Sequence, residues 1–174
     1  AMSNATSTND NTAIGWQAMK GDIALNGQIN GSANVAIGIE AMRRMIDTSN
    51  SVAIGYQAMM NATTTSNNVG IGLQALLGTA TGDASGENNT AVGFQSMKDF
   101  TTGDNNSAFG YLSLTAVTTG ASNSAFGFES LKNATTTGSN SAFGYQALSG
   151  NSNRFTGESN AAFGETDAIE PQRR

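Results

Sequence analysis

One short phrase, Asn-x-Ala-(Ile/Phe/Val)-Gly-x-x-(Ala/Ser)-(Met/Leu), recurs nine times, the last copy keeping only the part up to its glycine, with glycines at Gly15, Gly38, Gly55, Gly72, Gly93, Gly110, Gly127, Gly144 and Gly164. The steps between them are 23, 17, 17, 21, 17, 17, 17 and 20 residues, a 17-residue unit with insertions of 6, 4 and 3. A fixed period of this size means that each copy is one supersecondary unit, completed only by stacking on its neighbours. Insertions that leave the phrase intact are loops. They fall at 20–33, 77–87 and 149–159, in the Gly-, Asn-, Asp- and Ser-rich stretches expected of exposed turns.

Aligned on the glycine, each column has a physical role. Four residues before it stand Asn11, Asn34, Asn68, Asn89, Asn106, Asn123, Asn140 and Asn160, with Ser51 the exception. An amide at the same corner of every coil can bond the backbone and the amides above and below, so this column reads as a structural ladder. Directly before the glycine come Ile14, Ile37, Ile54, Ile71, Val92, Phe109, Phe126, Phe143 and Phe163; directly after it come Trp16, Ile39, Tyr56, Leu73, Phe94, Tyr111, Phe128 and Tyr145. In an extended strand these two columns share one face and are read here as core. The opposite face, Ala and Gly, is smooth enough to receive another backbone, either the far wall of the coil or a neighbouring chain.

Beyond the glycine, segments such as Gly-Tyr-Gln-Ala-Leu (144–148) are rich in helix formers. The large residue after the glycine and the Met or Leu three further on would share a helical face. The expected coil is a short strand (140–144, for example), one α or 3₁₀ turn (145–148) and a polar return loop; the alternative is one continuous strand in a two-stranded coil. In the return loops Thr63, Thr64, Thr101, Thr102, Thr118, Thr119, Thr135 and Thr136 recur eight and nine residues after their glycines. They form a second ladder, structural first, with an ordered water array on a Thr-lined face as the functional alternative.

Composition narrows the chemistry. There is no Cys and no His, so disulfides, thiolate nucleophiles, cysteine-ligated metals and imidazole bases are all excluded. A net charge of −5 argues against a nucleic-acid partner, and no run of apolar residues is long enough to span a membrane. Asp83, Glu87, Asp104 and Glu158 are scattered over different coils, and Glu40 and Glu129 stand in a Gln column, so no catalytic carboxylate pair is nominated. No EF-hand or Gly-Gly-x-Gly-x-Asp repeat is present, and the Gly-x-Gly at 70–72 belongs to the phrase rather than to a phosphate loop. The reading is a non-enzyme without catalytic, cofactor or metal residues.

Residues 50–58, Asn-Ser-Val-Ala-Ile-Gly-Tyr-Gln-Ala, and 139–148, Ser-Asn-Ser-Ala-Phe-Gly-Tyr-Gln-Ala-Leu, resemble the head repeats of trimeric autotransporter adhesins, and still more the repeats of phage tail fibres and related bacterial surface proteins. The resemblance covers about 11–164. The autotransporter head unit is shorter, so the 17-residue spacing favours the fibre-like group. The resemblance implies a homotrimeric parallel β-solenoid on a virion fibre or bacterial cell surface, mediating contact with a host receptor or glycan.

The combined expectation is an all-β, β-roll-like parallel solenoid of about nine 17-residue coils over 11–164, each a strand, a helical turn and a polar loop. Residues 1–10 are expected to be a disordered or cloning-derived segment, and 165–174 a cap or a linker to a downstream domain. The expected function is non-enzymatic attachment. The alternatives are an ice-binding solenoid using the Thr ladder and a polysaccharide-degrading spike. Association is expected on physical grounds too, because each coil has few large side chains with which to offset the ordering of 17 residues.

Overall fold

A computed structural model describes residues 10–21, 29–80, 84–150 and 157–165. Each copy of the phrase places one three-residue strand: β1 Thr12–Ile14, β2 Val35–Ile37, β3 Val52–Ile54, β4 Val69–Ile71, β5 Thr90–Val92, β6 Ser107–Phe109, β7 Ser124–Phe126, β8 Ser141–Phe143 and β9 Ala161–Phe163. All nine pair in parallel, in chain order, in a single sheet. Equivalent columns sit on one another, as in Val35↔Val52, Ala36↔Ala53 and Ile37↔Ile54. The inserted segments do not disturb this register: Thr12 pairs with Val35 across the first and Ser141 with Ala161 across the third. The predicted parallel β-solenoid is therefore the fold. It makes about 7 turns, fewer than the expected nine coils. The expectations for residues 1–9, 22–28, 81–83, 151–156 and 166–174 concern segments outside the described residues.

Two expectations are corrected. Among the described residues there is no helix after the glycines. Instead φ changes sign along this segment: the second and fourth residues after each glycine from Gly15 to Gly144 are left-handed, as at Gln57 (φ 54) and Met59 (φ 51), or Gln146 (φ 53) and Leu148 (φ 49). The Gln57 amide donates to Ile39 O (2.9 Å) in the preceding coil and the Met59 amide to Ala75 O (3.0 Å) in the next. Helix propensity is a weak prior, worth under about 0.7 kcal/mol per residue, and here every second amide has a neighbouring coil to bond instead.

The second correction concerns the inside of the coil. Ala36, Ala53, Ala91, Ala108, Ala125 and Ala142, at the strand centres, are fully buried. They face the opposite wall, the column Met19, Met42, Met59, Leu76, Met97, Leu114, Leu131 and Leu148, which is also fully buried. The smooth face thus points inward and the bulky columns point out. Gly70 shows how tight the interior is: a β-carbon there would meet the Met59 side chain at 2.9 Å.

The repeated glycine is needed twice over. At Gly55 φ is +132°, and a β-carbon would come 2.5 Å from the carbonyl oxygen of Gly72 in the next coil. A side chain would be strained by the backbone and blocked by the stack.

Candidate functional site

The Asn ladder is where the sequence places it and does what an amide column can do. Asn34, Asn68, Asn89, Asn106, Asn123 and Asn140 are fully buried, while Asn11 and Asn160 close the ends half-buried. Oδ1 of Asn106 accepts from both the backbone amide (2.9 Å) and Nδ2 (3.0 Å) of Asn123. Nδ2 of Asn106 also reaches across the coil to Gly120 O (2.8 Å), tying the strand to the return corner. At the exception, Ser51 keeps the vertical chain by donating its amide to Asn34 Oδ1 (2.9 Å) and accepting the Asn68 amide at its Oγ (3.1 Å), but its hydroxyl donates back to Ser49 O. The ladder satisfies buried backbone and presents nothing to a ligand.

The Thr columns divide. Thr101 and Thr118 donate their hydroxyls to the carbonyls of Thr118 (2.9 Å) and Thr135 (3.0 Å), and Thr63 is buried. Only the second member of each pair, Thr64, Thr102, Thr119 and Thr136, is exposed; Thr135 is half-buried. A single exposed file remains, with Thr101 and Thr118 beside it committed to backbone.

A second amide column was unpredicted as a ladder. Gln57, Gln74 and Gln95 each donate Nε2 to the side chain one coil earlier, at 2.7 Å to Glu40, 2.8 Å to Gln57 and 2.7 Å to Gln74. Leu112 interrupts the run, and Gln146 donates to Glu129 at 2.8 Å beyond it. Both carboxylates also hold a cation three residues on, Arg43 at 3.1 Å and Lys132 at 2.7 Å. The bond from Lys132, then that from Gln146, lowers the pKa of Glu129 below the ordinary 4.5, against the opposing cost of burial. The signal was the recurrence of Gln two after the glycine.

The acids singled out in the sequence are not gathered into a site. Glu87 and Asp104 are linked only through the Glu87 amide to Asp104 Oδ1 (2.7 Å), Glu158 is exposed on a distant coil, and Asp83 lies outside the described residues. Among the described residues no group of three or more acids is placed to hold a metal ion, and no helix is long and apolar enough to cross a membrane. Gly70 and Gly72 belong to β4 and the turn after it.

What the structure does assemble is an outward apolar face. The residue before the glycine and the residue after it form two continuous columns along the solenoid. Tyr56, Leu73, Tyr111, Phe128 and Tyr145 remain 40–48% exposed although each is flanked by neighbouring coils. From Val92 onward the columns become aromatic. Phe109, Phe126, Phe143 and Phe163 stack at 4.8–5.1 Å with interplanar angles of 3–8°; Phe94, Tyr111, Phe128 and Tyr145 stack at 5.0–5.1 Å and 7–9°. These separations are close to the strand spacing, so the register sets the stacking. Within each stack, as at Tyr111, Phe126, Phe128 and Phe143, both ring faces are covered by the rings above and below, and what reaches outward is ring edge.

The chain matches no family model, no characterised protein and no solved structure.

Proposed function

We propose that this chain is a non-enzymatic structural and attachment segment of a homotrimeric, extracellular fibre or adhesin, on a virion or bacterial surface, that contacts a host receptor or glycan. The observation that carries the self-association is the outward apolar face. At about 150–250 Å² for a whole aromatic side chain, the exposed fractions of its two columns add up to roughly 1,000 Å². That exceeds the roughly 300–600 Å² of the largest patch on an ordinary monomer and is comparable with the about 800 Å² that a standard interface takes from each partner. Three as the number of copies comes from the resemblance to fibre and adhesin repeats. Sugars stack on ring faces, and the stacked rings offer edges, so the apolar face suits another protein surface better than a glycan. Receptor contact is assigned to the irregular connections between phrases.

Sedimentation velocity at micromolar concentration tests this reading: a trimer is expected, and a monomer would overturn it. Binding to host cells, with loss on shortening the 77–87 connection, tests attachment. The hydroxyls of Thr101 and Thr118, committed to carbonyls, weigh against an ice-ordering face, and the separated acids weigh against a hydrolytic spike.

A further inference from the structure

The two ends of the solenoid differ from each other and complement each other. From β1 to β8 every strand donates the amide of its first residue to the carbonyl of the ladder residue in the next coil, from Thr12 to Asn34 O (2.8 Å) through Ser141 to Asn160 O (2.8 Å). Every repeat glycine after the first donates to the preceding coil, from Gly38 to Ile14 O (2.8 Å) through Gly164 to Phe143 O (2.8 Å). Among the described residues both series stop at the ends. The Ala161 amide and the Phe163 carbonyl of β9 have no such partners, nor have the Asn11 carbonyl and the Gly15 amide beside β1. The Asn ladder stops in the same way: Asn11 Oδ1 accepts the Asn34 amide (2.8 Å) and Asn140 Oδ1 the Asn160 amide (2.9 Å), which leaves an acceptor at Asn160 Oδ1 and a donor at the Asn11 amide. The outer columns are also barest here, with Phe163 71% and Ile14 57% exposed against 36% at Phe109 and Phe143.

We propose that the solenoid stacks end to end on a second copy of itself, with β1 of one copy continuing the sheet beyond β9 of another. Extending the register of β8 and β9 sets Thr12 on Ala161, Ala13 on Ala162 and Ile14 on Phe163. The Ala161 amide then meets the Asn11 carbonyl, the Gly15 amide meets the Phe163 carbonyl, and the Asn11 amide meets Asn160 Oδ1. Every donor finds an acceptor. Two copies joined β9 to β9 would instead oppose their Asn160 Oδ1 acceptors. The space is open as well: a β-carbon at Gly144 would meet the carbonyl of Gly164, whereas one at Gly164 meets nothing within 4 Å. Neither Thr12-Ala13-Ile14 nor Ala161-Ala162-Phe163 carries the charge or proline that blunts a free sheet edge. Asp10 falls one level from Glu158, an arrangement the chain already holds between Glu87 and Asp104. A head-to-tail contact leaves a free end after each addition, so it grows as an open series. Each junction spans a single coil face, which makes it weak and dependent on concentration. It uses neither outward column as its main surface, so it holds for a single solenoid as for a laterally associated one.

The test uses the full chain, whose lack of Cys makes cross-linking direct. Between micromolar and millimolar concentration, sedimentation should pass from one unit to a growing series of its multiples; a single species throughout would overturn the inference, whether that species is a monomer or a lateral oligomer. Thr12 and Ala161 are eight strand intervals apart, about 38 Å at about 4.8 Å each, so a disulfide cannot join them within one chain. Oxidation of a chain carrying both Thr12→Cys and Ala161→Cys should give a ladder extending beyond the trimer, made of 12–161 links. Links of the 12–12 and 161–161 kinds alone overturn the polarity, and a closed dimer with two 12–161 links shows antiparallel side-by-side copies and overturns end-on stacking. Ala161→Pro removes the free edge amide and leaves β1 intact. This variant should lose the series, and when mixed with the unsubstituted chain it should shorten the multiples by adding at their β9 ends and stopping them. Its unfolding midpoint at micromolar concentration checks that it folds. A folded Ala161→Pro chain that still forms the series would overturn the assignment of the junction to β9.

Discussion

The half of the solenoid before Val92 and the half after it share one backbone and differ in what they show outside. In the first, the outer columns are mainly aliphatic (Ile37, Ile54, Ile71, Leu73) and the inner column is mainly Met (Met19, Met42, Met59). In the second, the outer columns are stacked Phe and Tyr, and the inner column, after Met97, is Leu (Leu114, Leu131, Leu148). Register, buried alanines and glycine geometry are the same in both: φ is +132° at Gly55 and +135° at Gly110. The scaffold chemistry is confined to Gly, Ala and Asn, and the outer columns vary without disturbing it. They vary freely in size because, among the described residues, nothing packs over them.

The largest effect should fall on the shared scaffold. Gly55→Ala and Gly110→Ala each combine left-handed strain with a blocked neighbouring carbonyl, and each should destabilise by at least about 3 kcal/mol. Equal losses in the two halves, measured by urea unfolding, would confirm that the scaffold is indifferent to the outer columns; a loss confined to one half would break the comparison. Next comes the contrast between inside and outside. Leu131→Ala opens the core and should cost about 2–4 kcal/mol. Phe126→Ala, on the outer column of the same coil, should change the stability of the single chain by only about 1 kcal/mol while weakening association. Comparable losses for the two at dissociating concentrations would place the outer columns in the core after all.

Within the Asn ladder the aliphatic half carries the weaker rung. Ser51→Asn should supply the missing cross-coil bond toward the carbonyl of Thr65, as Asn123 does to Thr137 O at 2.8 Å, and raise stability by about 1 kcal/mol. A lowered unfolding midpoint would mean that the serine is required there. The smallest effect concerns pH. Because the pKa of Glu129 is lowered in the folded chain by Lys132 and then Gln146, its contribution is present above the ordinary value of 4.5 and is lost as pH falls through the lower folded value. Glu129→Gln should remove that part of the acid dependence, within about 1 kcal/mol for a surface pair; an unaltered pH profile of the unfolding midpoint would refute the assignment.

Period, strand position, parallel stacking and the Asn corner were legible in the residues because each is local or strictly repetitive. The strand at Ser141–Phe143 lies inside the predicted 140–144, and Asn140 takes its ladder place with its amide on Asn123 Oδ1 (3.1 Å). Glycine at a fixed column also announced the close backbone approach, although which backbone approaches was open. The turn after the glycine was misread because Tyr145–Leu148 have helix-forming side chains, and propensity has no knowledge of carbonyls one coil away. Gln57 and Gln146 were seen as a column without being seen as donors.

Taken alone, the sequence determined that nine equivalent strands stack at a 17-residue period around an Asn corner, since the repeat leaves no other way to satisfy every copy alike. Which side of each strand faces inward was settled only in three dimensions. Alternation divides Ala53 from Val52 and Ile54 without saying which goes inside, and hydrophobicity alone favours the larger pair. Closure of the coil decides otherwise: with Met59 and Leu76 filling the space from the opposite wall, only Ala or Gly fits beneath the strand. The large side chains are turned outward by that lack of room, and it is there that the chain has an apolar surface to share.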